Sequence, residues 1–283
     1  MIELTDLHVH SCCSDGTYTP TELVLYAKEK GLKAFALTDH DTILGIDEAM
    51  AAGKAQGVEV IPGIEFSTNY REKDIHVLGL GIDWKDARFL KKLREFQDSR
   101  DLRNRKMIAR MADCGVHITY EKMQEAFPNS TWTRANFARY LVDHNYAKNP
   151  KEAFSRYVGD DAPCFVPREK VTPFQAVELI RENGGLSVLA HPVLYHLSAE
   201  DLDTLTARLK DSGLDGIEAL YSTYRWYDET HIKTLARRHG LSVTGGSDFH
   251  GLNKPDIDLG VGRGNLKIPY ALWLSLKARQ AYR

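Results

Sequence analysis

The residues best suited to chemistry in this chain are histidines and carboxylates in short, recurring clusters. They run Asp6-Leu7-His8-Val9-His10, Asp15, Thr38-Asp39-His40-Asp41, Glu65, His76, Ala190-His191-Pro192 and Ser247-Asp248-Phe249-His250. Imidazole nitrogens and carboxylate oxygens are the donors that divalent transition ions accept. Any one of them alone reads as a helix cap or a hydrogen-bonded core residue. Converging on one place, so many groups could not all satisfy one another, and they would need cations. Mixed nitrogen and oxygen donors suit Mn, Fe or Zn and argue against a calcium site.

Convergence depends on the elements that carry these side chains. Residues 4–10 alternate like a strand, so His8 and His10, two apart, share a face. Thr19 as N-cap, Pro20 at the first helical position and Gly31 as a stop frame a helix over 21–30. Further strands are predicted over 34–38, 58–62, 75–82, 186–190, 216–219 and 241–244, and further helices over 43–56, 174–183, 201–212, 231–239 and 271–278. Alternating strand and helix predicts a parallel sheet, open or closed. His40, His191, Asp248 and His250 then fall at or just past C-terminal strand ends, and Glu65 follows strand 58–62. In an α/β barrel those ends meet at one mouth.

Between these halves the texture is helical. Phe89, Leu93, Phe96, Met107 and Met111 form one stripe of a long helix. From Lys85 to Arg110 there are ten Lys/Arg against four Asp/Glu, a net +6, so the other face is basic. Such a face either guides a polynucleotide backbone or is simply solvated. Shorter helices are expected over 120–127 and 133–144. In Thr131-Trp132-Thr133-Arg134-Ala135-Asn136, a Thr133 cap and Arg134 make an anion site. Trp132 either stacks a base or packs.

Net charge is −2, so any nucleic-acid contact must be local. No apolar run reaches the roughly 18 residues of a membrane span, and the first residues do not read as a signal peptide. Cys12, Cys13, Cys114 and Cys164 form no C-x-x-C pair, which suggests a reducing cytoplasm and cysteines that are small, buried or half-buried residues. His117, His144, His231 and His239 lie in helical or loop segments and are expected to be solvated; His196 could face the mouth.

Together His8-Val9-His10, Thr38-Asp39-His40-Asp41, His191 and Asp248-Phe249-His250, in this order, resemble the PHP (polymerase and histidinol phosphatase) phosphoesterases. The resemblance implies an α/β fold: a distorted (βα)7 barrel over 1–84 and 160–283, with a substrate-capping helical subdomain inserted over 85–159. It implies two or three divalent ions. His8, His10, Glu65 and Asp248 would hold one; Glu65, His76 and His191 a second; Asp15, His40 and His250 a third. Clustered cations would lower the pKa of a shared water and neutralise phosphoryl charge; no general acid is evident.

The closest subgroup acts on nucleoside monophosphates, 3',5'-bisphosphates or short RNA. A nucleotide or short oligonucleotide is therefore the expected substrate, without membrane or obligate protein partner. Arg134 and Asn136 would contact the substrate. Some relatives have His at the place of Asn136, and Gly-Arg-Tyr at Val193-Leu194-Tyr195, so a second phosphate-binding Arg is missing here. The alternatives are a 5'-3' exonuclease and, less well matched, a histidinol-phosphate-type phosphatase or a non-catalytic metal-binding module.

Overall fold

Seven apolar runs become strands: β1 Thr5–Val9, β2 Ala34–Leu37, β3 Glu59–Tyr70, β4 Lys73–Leu80, β5 Leu186–Leu189, β6 Gly216–Tyr221 and β7 Ser242–Gly246. The computed structural model describes residues 2–169 and 171–282. Met1, Lys170 and Arg283, which fall inside the ranges assigned above, lie outside the described residues. The strands form one sheet in chain order. Its ends approach each other: the Asp248 amide donates to the His8 carbonyl (2.9 Å) and the His10 amide to the Phe249 carbonyl (3.0 Å). The sheet is therefore nearly closed into a barrel. Closure uses Gly246, where a Cβ would lie 2.2 Å from the His8 Cβ.

Helices α1 Pro20–Glu29, α2 Ile46–Gln56, α7 Pro173–Glu182, α8 Ala199–Ser212, α9 Trp226–Arg238 and α10 Tyr270–Ala278 lie among the strands along the chain. Between β4 and α7 come α3 Ala87–Asp113, α4 Tyr120–Ala126, α5 Arg134–Asp143 and α6 Pro150–Ala153, the last running into a π-helical turn, Phe154–Val158. Thr19 caps α1 by accepting from the Glu22 amide (3.2 Å), and α2 stops at left-handed Gly57.

The sheet is not wholly parallel as the alternation predicts. β4 runs antiparallel to both β3 and β5. No helix separates β3 from β4; two residues, Arg71 and Glu72, turn the chain at φ 50° and 64°, and so tight a connection forces reversal. The strand predicted over 58–62 also continues to Tyr70, so Glu65 lies inside β3 rather than after it. Because β4 is reversed, His76 near its start faces the same mouth as the C-terminal ends of its neighbours.

The apolar clusters divide α3. Phe89, Leu93 and Phe96 pack with Val177 and Ile180 of α7 in the barrel core. Met107 and Met111 pack with Phe137, Leu141, Val158 and Val166 in a second core. The second core thus takes in only the last quarter of α3, from Met107, and extends to Val166. Trp132 belongs to it, packed on Tyr120 with its indole N–H donating to the Phe127 carbonyl (3.1 Å).

Candidate metal centre

β1 points His8 and His10 to the same side, and both are fully buried. The remaining groups arrive from strand ends and the turns after them. Three residues there, Asp41, His191 and Asp248, take positive φ values of 49°, 25° and 57°. For residues with a Cβ this costs on the order of 1–3 kcal/mol each. The surroundings hold them there: the His191 amide donates to Glu218 Oε2 (2.8 Å), and Asp248 Oδ2 accepts from Tyr221 (2.6 Å).

Glu65 is the centre of the cluster. Its Oε2 lies 3.2 Å from His8 Nε2, 3.2 Å from His10 Nε2 and 3.1 Å from His40 Nδ1. Its Oε1 lies 2.9 Å from His76 Nδ1 and 3.1 Å from His191 Nε2. Asp248 Oδ1 lies within 3.5 Å of His8, His10 and His250, and Asp15 Oδ1 is 3.1 Å from His250 Nε2. Four groupings bring donor atoms within 4.8 Å of one another: His10, Asp15, His40 and His250; His8, Glu65 and His191; His8, His10 and Asp248; His40, Glu65 and His76. All nine residues named from the sequence are therefore brought together, although His10 stands with Asp15 as well as with Asp248.

The donor set fits cations. His8 Nε2, both ring nitrogens of His10, Glu65 Oε2 and His191 Nδ1 are buried without a hydrogen-bond partner. Several of these atoms are about 3 Å apart, yet they do not meet in hydrogen-bond geometry. Buried polar groups left unpaired cost about 1–3 kcal/mol each, and a divalent ion among them removes that cost. Burial works against charge on every group here, but the neighbours outweigh it for several. Glu65 is held well below the carboxylate range by His40, His8 and His76, and Asp248 likewise by Lys254 and His8. The Asp248 and Glu65 carboxylates beside it push His10 up to about 9 against its burial. Burial prevails at His40, which is depressed.

Above the cluster is a cavity of about 340 Å³. One wall is the ligand cluster. The other wall carries four arginines: Arg100 and Arg103 of α3, Arg134 of α5 and Arg168. Asp41 joins the two walls, accepting from Arg100 Nε (2.8 Å), Arg168 and the Ser67 amide (3.1 Å). Ser67 Oγ accepts from Arg100 Nη2 (2.7 Å) and lies 3.1 Å from His40 Nδ1. The insertion is tied to the ligands by Thr133, whose hydroxyl donates to Asp15 Oδ2 (2.7 Å).

A model of the PHP domain matches residues 6–161. The chain belongs to the PHP family. It is 35% identical over 250 residues to a Haemophilus influenzae protein named 5'-3' exoribonuclease, covering 88% of this chain and 91% of that one. It is 32% identical over 275 residues to a Chromobacterium violaceum 3',5'-nucleoside bisphosphate phosphatase, covering 97% and 96%. A solved structure from Chromobacterium violaceum, described as an amidohydrolase with bound sulfate and no metal, superposes with a TM-score of 0.87 at 31% identity, covering 97% of this chain and 96% of that one.

In this PHP chain some expected contacts fall elsewhere. Arg134 lines the cavity, but its guanidinium also donates to Asp74 Oδ2 (2.9 Å) and Asp160 Oδ1 (2.6 Å). Asn136 is not brought to the cavity. Its Oδ1 accepts from the Thr133 amide (2.7 Å) and its Nδ2 donates to the Ser14 carbonyl (3.2 Å), so capping and packing occupy both ends of the amide. His196 is exposed and is not among the residues that line the cavity. His239 is paired with Asp203 (2.9 Å) rather than simply solvated. Cys12 and Cys114 are exposed, not buried.

Other participants escaped the sequence reading. Glu218, a carboxylate in the apolar strand β6, lies 3.2 Å from His8 Nδ1 and so fixes both His8 and His191. Its signal was a charge at an inward position of a strand. Arg100 and Arg103 were counted with the basic face, but both are buried. Of the eight outward cations between Lys85 and Arg110, four (Lys85, Lys92, Arg105 and Lys106) each have a carboxylate within 3.9 Å. A face with half of its cations paired is a weakened guide for a polyanion.

Proposed function

We propose that this chain hydrolyses the phosphate esters of nucleotides with two or three divalent cations held by His8, His10, Asp15, His40, Glu65, His76, His191, Asp248 and His250. The observation that carries this reading is a cavity with two kinds of wall. One is a cluster of buried, unpaired metal donors, and the other is a bank of arginines suited to phosphate. When bound, the cations activate water and neutralise the charge that builds on the phosphoryl oxygens. The chain's own groups orient the parts. Glu218 and Asp6 hold His8, Lys254 (2.6 Å) and Tyr221 hold Asp248, and Arg134 offers donors to the substrate phosphate. The names of the two curated relatives support nucleotides as the substrate class.

A second reading, a 5'-3' exonuclease on short RNA, has its own support. A hollow of about 530 Å³ adjoins the metal cavity and shares Ala135, Phe154, His250 and Lys254 with it. A chain longer than one nucleotide could continue there, past Leu252 and Arg139. Phosphate release from AMP and adenosine 3',5'-bisphosphate, and stepwise shortening of a 5'-phosphorylated RNA tetramer, test both readings with Mn, Fe or Zn added. His191→Ala should silence each activity. No turnover of any of the three substrates with any metal would overturn the proposal.

A further inference from the structure

Arg103 differs from the other three arginines of the cavity wall. Arg100 and Arg168 share Asp41, and Arg134 is held by Asp74 and Asp160. Among the described residues, no carboxylate lies within ion-pair distance of Arg103. Its Nε donates to Asn104 Oδ1 (2.9 Å), and its Nη2 is buried with no hydrogen-bond partner. The residue is only 4% exposed, and it lines the same cavity as the metal donors. A guanidinium does not shed its proton in a protein, so a permanent charge is buried here without a counterion. An unpaired buried ion costs several kcal/mol. Burial and the positive charges of Arg100, Arg168 and Arg134 press on it together, and Asp74 offsets them only in part. Such a position is sustained by an anion that comes and goes.

We propose that Arg103 is a specificity-determining residue that receives a second phosphoryl group of the substrate, remote from the one that is cleaved. This rests on the nucleotide phosphoesterase reading. The cations would serve the phosphoryl group under attack; Arg103, in the arginine part of the same lining, offers a planar fork of donors to another. That group is either the second monoester of a nucleoside bisphosphate or the internucleotide diester of a short oligonucleotide.

The test compares wild type, Arg103→Met and Arg103→Lys, each metal-loaded, on AMP, adenosine 3',5'-bisphosphate and a 5'-phosphorylated dinucleotide. A charge-assisted hydrogen bond of the usual strength predicts that Arg103→Met lowers kcat/KM at least about tenfold on a substrate with two phosphoryl groups. AMP should change less than about threefold, with partial recovery in Arg103→Lys. Loss confined to the bisphosphate assigns the monoester, and loss confined to the dinucleotide assigns the diester; either supports the proposal. An equal fall on all three substrates, or no fall on any, overturns it. Calorimetric binding of adenosine 3',5'-bisphosphate to the metal-free full chain is a readout apart from turnover. Binding that weakens about tenfold in Arg103→Met supports Arg103 as the receptor even if no substrate is hydrolysed, in which case only the phosphoesterase reading falls. If Arg103→Met does not fold, Arg103→Lys in the same binding experiment decides: unchanged binding overturns the proposal, since a lone ammonium cannot reproduce the fork.

Discussion

The two walls of the central cavity are built on opposite principles. The ligand wall crowds five imidazoles around one carboxylate, Glu65, and leaves buried lone pairs that only cations satisfy. The arginine wall crowds four guanidiniums around Asp41 and Asp74 and leaves two buried donors, Arg103 Nη2 and Arg168 Nε, without an acceptor. Each wall carries an unmatched excess of its own, and a phosphate ester bound with cations would neutralise both. A cavity that discriminates in this way favours polyanionic substrates over neutral ones, because each unmatched wall charge carries a desolvation penalty.

The sharpest way to break this comparison is to remove the hub of the ligand wall. Glu65→Gln should lower phosphate release on the order of a thousandfold, with loss of bound metal by elemental analysis. Chelation of wild type should reproduce the loss and lower Tm, since metal bound to the native state alone stabilises it. The arginine wall should be intact in both cases.

Next in size is the carboxylate that holds the walls together. Asp41→Ala leaves Arg100 and Arg168 without their buried partner. Breaking a buried pair from one side costs about 3–5 kcal/mol, read in a denaturant titration. A cost below about 1 kcal/mol would mean that the wall is solvated and the contrast drawn here is too strong.

Glu218→Gln tests the support behind the ligands. It keeps the shape but weakens the contacts to His8 and the His191 amide. Metal affinity should fall about 10–100-fold, with little change in Arg103-dependent binding.

The smallest effect lies outside both walls. Burial disfavours charge on Asp258, yet Lys30 and Tyr26 hold its carboxyl below the ordinary range. A depressed native pKa contributes stability above the unfolded value of about 3.9, and that contribution is lost as pH falls through the native value. Asp258→Asn should therefore cost under about 1 kcal/mol at pH 7, with the cost shrinking as pH falls below the unfolded value and activity unchanged.

The ligand wall was legible because its rules are local. His8-x-His10 must share a face on a strand, and His191, Asp248 and His250 follow apolar runs whose ends define a mouth. The arginine wall left a fainter trace. Phe89, Leu93, Phe96, Arg100, Arg103 and Met107 follow one another at spacings of four and three, so both arginines sit on the apolar stripe of α3 and not on its basic face. Read as composition, they were merely two of ten cations. Read as positions, they interrupt a buried stripe, and a charge there needs a reason.

The sequence by itself determined which side chains can bind metal, the strand-rich halves that carry them and the helical stretch between. Those features follow from residue type and short-range periodicity. Only the tertiary structure decided that β4 runs backward, which places His76 at the mouth, and that Asn136 spends its amide on a helix cap. It alone decided, too, that Arg103 is buried without a partner. Strand direction depends on pairing between distant segments, and the partner of a buried charge is whatever the rest of the chain brings beside it. Neither is encoded in the neighbours along the chain.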